Sequence, residues 1–89
     1  MEFLTGEIYK VTFGKGKYSY IRNLTEYIEY SVNRPGGYKI NKFNGNLAYI
    51  LITGSNSTYI SFMYNGKDCY NYRDVGIFNN EVNNFELIG

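Results

Sequence analysis

Histidine and tryptophan are absent from the 89 residues, and cysteine and proline occur once each, as Cys69 and Pro35. Without histidine the chain lacks the commonest general base, the commonest zinc ligand and any Ser-His or Cys-His nucleophile pair. A lone cysteine forms no intrachain disulfide, no thiolate zinc site and no iron–sulfur cluster, so nothing ties the chain to an oxidising compartment and a reducing cytoplasm is expected. Excess charge is missing too: nine Lys and Arg against eight Asp and Glu leave a net +1, neither a polyanion binder's footprint nor an acidic mimic of nucleic acid. No apolar run approaches a signal core or a membrane span, which predicts a soluble protein without a membrane partner. Together these absences predict a protein that is not an enzyme, with no catalytic, cofactor or metal site.

What the chain does contain is eleven tyrosines, six phenylalanines and ten glycines. Aromatic and β-branched residues suit a pleated, half-buried surface, and glycine and asparagine cut them at intervals, so the reading is all-β. The length allows one core, and residues 1–89 are expected to form a single domain. Shared apolar surface in a homo-oligomer would add to the stability of so small a fold.

Residues 7–13 alternate, with Tyr9, Val11 and Phe13 on one face and Lys10 and Thr12 on the other, the period of a half-buried strand. Gly14, Lys15 and Gly16 then read as a hairpin loop into a second strand over residues 17–22. Residues 23–32 support two readings. Leu24, Tyr27, Ile28 and Ser31 lie at helical spacing, whereas Ile28, Tyr30 and Val32 alternate; the aromatic and β-branched content favours a strand over residues 26–32, with one short helix as the alternative. Arg34, Pro35, Gly36 and Gly37 break the chain.

The pairs Asn44–Gly45 and Asn65–Gly66 suit two-residue type I′ turns, in which both central residues need positive φ. With the loop at residues 54–57 they predict three successive hairpins and a four-stranded antiparallel meander over residues 38–43, 46–53, 58–64 and 67–72. The second of these strands is apolar at both parities from Leu47 to Ile52, which predicts a central strand covered on both faces, with the N-terminal hairpin as its cover. A sheet curled on itself, or a small barrel, satisfies that demand. Residues 74–78 and 85–88 read as short closing strands.

The remaining chemistry-bearing residues have plainer readings. The twelve asparagines suit turns. Gly14, Lys15 and Gly16 do not match a phosphate loop, which requires four residues between its glycines and then a helix. Glu26 and Glu29 have opposite strand parity and would point apart, and Cys69 reads as a small buried hydrophobe.

Tyrosine and arginine are enriched at interaction hot spots, because they bury much area with few rotatable bonds and carry polar ends. The candidate binding residues are therefore Tyr18, Tyr20 and Arg22 with Tyr27 and Tyr30 just after, then Tyr70, Tyr72 and Arg73, and Arg34 on the central turn. They point to a module that binds a larger protein. Two alternatives stand beside it: single-strand nucleic-acid binding, with bases stacked on strand aromatics, and an oligomer that sequesters a nucleotide or other small ligand.

The opening residues EFLTGEIYKVTF, the glycine hairpin after them and the closing FELI resemble the start and end of SH3-like small barrels. The Asn, Tyr, Lys and Ile bias in a short chain is also similar in style to phage and mobile-element accessory proteins of AT-rich bacteria. That resemblance implies an anti-defence role in the cytoplasm of a bacterial host, such as inhibition of a CRISPR or other defence nuclease. No residue role is implied by it.

Overall fold

The computed structural model describes residues 2–14, 24–30, 37–73 and 76–89. These form one antiparallel sheet of seven strands: β1 (Ile8–Thr12), β2 (Glu26–Tyr30), β3 (Tyr38–Lys42), β4 (Leu47–Ser55), β5 (Tyr59–Tyr64), β6 (Lys67–Tyr72) and β7 (Asn84–Leu87), with a single 3-10 turn at Gly76–Phe78. The order across the sheet is β3-β2-β6-β5-β4-β1-β7. The expected all-β class and curled antiparallel sheet are thus observed. The expected second strand at residues 17–22, and with it the N-terminal hairpin, lies outside the described residues.

Only one Asn–Gly pair behaves as expected. Asn65 and Gly66 have φ of 52° and 76°, the mirror-image conformation that makes a two-residue turn twist with its strands, and β5 and β6 pair across it from Tyr64↔Lys67 to Tyr59↔Tyr72. At the other pair Gly45 has φ of 75° while Asn44 does not enter the positive region, so no type I′ turn forms and β3 does not pair with β4. The predicted four-stranded meander is therefore corrected to three strands, β4-β5-β6. β3 turns back on β2 instead, in register from Glu26↔Lys42 to Tyr30↔Tyr38.

This connection forces curvature. In a flat sheet four steps would separate β3 from β4 by about 19 Å, yet only five Cα steps join Lys42 to Leu47, a reach of at most about 18 Å even without the turn they contain. The sheet must bend its β3 side toward β4 and β1. Phe43 fills the bend, its ring centroid 5.1 Å from Phe13 and 4.5 Å from both Tyr27 and Tyr64, and the Phe13 amide donates to the Asn46 carbonyl at 2.9 Å. Among the described residues the two outer strands, β3 and β7, are not paired with each other, so the form observed is a curled sheet with two edges.

The core occupies the inner face. Tyr9 and Val11 of β1, Ala48, Ile50 and Ile52 of β4, Ile60 and Phe62 of β5, Cys69 of β6 and Tyr27 of β2 all point there, joined by Phe3 and Phe43. Residues 76–78, expected as a strand, form the 3-10 turn, which drives Ile77 and Phe78 into this core. Gly76 permits the turn: its φ is 65°, and a Cβ there would stand 2.7 Å from the Asn71 amide nitrogen.

The expectation that β4 is covered on both faces is overturned. Leu47, Tyr49 and Leu51 are exposed, at 38, 53 and 37% of their surface, while Ala48, Ile50 and Ile52 are buried. Apolar residues at both parities reported an apolar outer surface rather than a second layer.

Candidate tyrosine face

Register alone places five tyrosines on the outer face. The Asn65–Gly66 turn sets Tyr59 opposite Tyr72 and Ser61 opposite Tyr70; Ile28↔Tyr70 joins β6 to β2, and Tyr30↔Tyr38 joins β2 to β3. Residues of one parity on neighbouring strands share a face, so these side chains stand together. The Tyr30 and Tyr70 rings are 4.6 Å apart and tilted by 35°, Tyr59 meets Tyr70 edge-on at 5.5 Å, and Tyr59 and Tyr72 lie 5.0 Å apart. Tyr59, Tyr70 and Tyr72 are half-buried, packed against one another, whereas Tyr30 and Tyr38 are 51 and 63% exposed.

The hydroxyls are close enough to influence each other. A hydrogen bond with Tyr72, then its charge, then burial, raise the Tyr59 pKa above the ordinary tyrosine value. Burial comes first for Tyr70, followed by the charges of Tyr30, Tyr59, Tyr72 and Tyr38, and its pKa is raised as well. Tyr59 and Tyr70 therefore stay neutral at physiological pH, and with their neighbours they present phenol hydroxyls on an aromatic floor.

The structure brings together only part of the sequence-based set. Tyr70 and Tyr72 are in the cluster. Arg73 follows directly, but its Nη1 donates to Ser55 Oγ at 2.7 Å and to the Asn56 carbonyl at 3.3 Å, so it braces the β4–β5 loop. Tyr27 differs from the expectation: it is 6% exposed on the inner face, its ring packed at an angle to Phe43 and edge-on to Phe62 and Tyr64, and its side chain is core. Tyr18, Tyr20, Arg22 and Arg34 lie outside the described residues. Tyr38 and Tyr59 were missing from the candidate set, although the strand parity set by Asn65–Gly66 already paired Tyr59 with Tyr72.

Two buried polar groups hold the β2 side of this face in place. Asn71, on the inner face, donates from Nδ2 to the Glu26 carbonyl at 2.8 Å and accepts the Tyr72 amide at 2.8 Å, extending a β2–β6 ladder that has two registered pairs among the described residues. Glu29 is 8% exposed and lies opposite Cys69; its carboxylate accepts from Asn41 Nδ2 and meets Lys67 Nζ at 3.3 Å and Lys39 Nζ at 3.9 Å. Burial first, and then the Glu29 charge, push the Cys69 thiol up to about 11, which keeps it protonated and unreactive at neutral pH.

On the outer face two lysines have an acid in register. Lys10 stands opposite Glu86 and Lys42 opposite Glu26. Among the described residues no three His, Cys, Asp or Glu side chains gather as a metal site, and no helix is long and apolar enough to cross a membrane. Compared with family models, with curated proteins and with solved structures, the chain matches none.

Proposed function

We propose that this protein is a non-enzymatic binding module that docks on a larger protein through the outer face formed by Tyr30, Tyr38, Tyr59, Tyr70 and Tyr72. The observation that supports the reading is their packing: three half-buried rings hold one another in place beside two exposed ones, so a partner gains large contact area at little cost in side-chain order. Stacked single-stranded nucleic acid fits less well, because phosphate binding needs uncompensated cations and Lys10 and Lys42 each face a carboxylate. The role is that of an inhibitor or adaptor, and a bacterial defence nuclease is the first partner class to test.

The immobilised protein, incubated with bacterial host lysate, should retain one protein partner that survives moderate salt and is lost from the double variant Tyr30→Ser, Tyr70→Ser. Retention of the same partner by the double variant would place binding elsewhere. Salt-sensitive capture of nucleic acid alone would favour the second reading.

A further inference from the structure

We infer that the free edge of β3 pairs antiparallel with β3 of a second copy, about a two-fold axis at Ile40, to give a closed dimer with one continuous sheet. The starting observation is how little of β3 is covered. Tyr38, Lys39, Ile40 and Lys42 are exposed and only Asn41 is half-buried, with Tyr38 and Ile40 at 63 and 57%. Among the described residues its single neighbour is β2.

The hydrogen-bond phase of the edge follows from one bond. The Phe43 amide donates to the carbonyl of Thr25, the residue directly opposite it, at 2.9 Å. In an antiparallel ladder bonded and non-bonded pairs alternate, so Asn41 and Lys39 also turn their backbone groups toward β2, and Tyr38, Ile40 and Lys42 turn theirs outward. Among the described residues nothing bonds these groups, so the edge offers three residues' worth of N–H and C=O groups, with Ile40 in the middle.

Charge selects the occupant and the register. A bare strand carrying Lys39 and Lys42 would repel its own copy, but each lysine already has a carboxylate on β2: Lys39 Nζ is 3.9 Å from Glu29, and Lys42 is opposite Glu26. With the axis at Ile40, Ile40 meets Ile40 of the second copy, Tyr38 meets Lys42, and Lys39 meets Asn41. Apolar faces apolar, ammonium faces an aromatic ring, and no like charges are opposed. Moving the axis to Lys42 would set two ammonium groups against each other. The other edge, β7, has four residues and projects outward backbone groups only at Phe85 and Leu87, and pairing it with β3 of another copy would build an open filament rather than a closed pair. The Ile40-centred dimer also joins the two tyrosine faces across Tyr38.

Sedimentation equilibrium of the full chain from micromolar to near-millimolar concentration tests this directly. The wild type should be a dimer and Ile40→Pro a monomer with an unchanged far-ultraviolet spectrum, because the Ile40 amide bonds nothing in its own sheet. Ile40→Lys, which opposes two cations across the axis, should also be monomeric, and it covers the case in which proline disturbs the hairpin. Under mild oxidation Ile40→Cys should yield a covalent dimer, and Glu86→Cys on the opposite edge should not. A wild type that stays monomeric throughout, a dimer that survives both Ile40 substitutions, or cross-linking through Glu86→Cys in place of Ile40→Cys overturns the inference.

Discussion

Tyr59 and Tyr72 stand directly opposite each other on β5 and β6, with ring centroids 5.0 Å apart and planes tilted by 34°. Tyr72 is the largest influence on the ionisation of Tyr59, through a hydrogen bond and then through its charge. In Tyr72→Phe both are gone, and the Tyr59 pKa should fall back toward the ordinary tyrosine value. Tyrosine ring NMR across an alkaline titration reads this; an unmoved Tyr59 would mean the two hydroxyls are not coupled.

The two Asn–Gly pairs should respond differently to alanine. Asn65 holds φ of 52°, a conformation that asparagine tolerates better than alanine because its short polar side chain hydrogen-bonds locally, so Asn65→Ala should cost about 1 kcal/mol. Asn44 has no positive φ, and Asn44→Ala should cost less than about 0.5 kcal/mol, the range of ordinary surface changes. Urea unfolding of both variants gives the comparison, and equal losses would contradict the assignment of a single type I′ turn.

Stability should decline in alkali. Burial, a hydrogen bond to Glu7 and the Glu7 charge push Tyr9 up to about 12, while the thiol of Cys69 is pushed up to about 11. Both groups release their protons earlier in the unfolded chain, near 9 for the thiol and 10 for the phenol. The unfolded state therefore binds fewer protons above pH 9, and stability, complete below that, falls as pH rises toward 12. Melting temperature against pH should show this slope, shallower in Tyr9→Phe; a parallel slope in that variant would remove Tyr9 as a contributor.

Glu29 should matter for both stability and thiol chemistry. Glu29→Ala leaves Asn41 Nδ2 without its acceptor in a part-buried site, at a cost of about 1–3 kcal/mol. Glu29→Gln keeps the shape but removes a negative charge beside Cys69, so the thiol pKa should drop from about 11 while burial still holds it above its ordinary value. The Cβ shift of Cys69 in an NMR pH titration would report it, and no change would separate the two groups.

Strand positions were legible because alternation at Tyr9, Val11 and Phe13, and the Asn65–Gly66 turn, are local signals. Pairing partners were not. Whether Asn44–Gly45 makes a hairpin or a crossover depends on the backbone angle at Asn44, which the residue type leaves open, and the partner of β3 is decided by packing of Phe43 into the bend. Residues 76–78 carry strand-like residues but turn because Gly76 packs against Asn71. For the candidate site, parity already contained Tyr59 opposite Tyr72, whereas the meeting of Tyr30 with Tyr70 required the non-local β2–β6 ladder. Tyr27 was misplaced for the same reason: composition does not say which of two tyrosines on a strand faces the core.

The position of β1 governs the order in which the molecule can assemble. It is inserted between β4 and β7, pairing Tyr9 with Ile50 on one side and with Leu87 on the other. Contacts of such long sequence separation form late and slowly. On the ribosome the β4-β5-β6 hairpins can form as they emerge and β1 can then join β4, but the other side of β1 stays unpaired until β7 has been made, which leaves that edge open to chaperones over the interval between them.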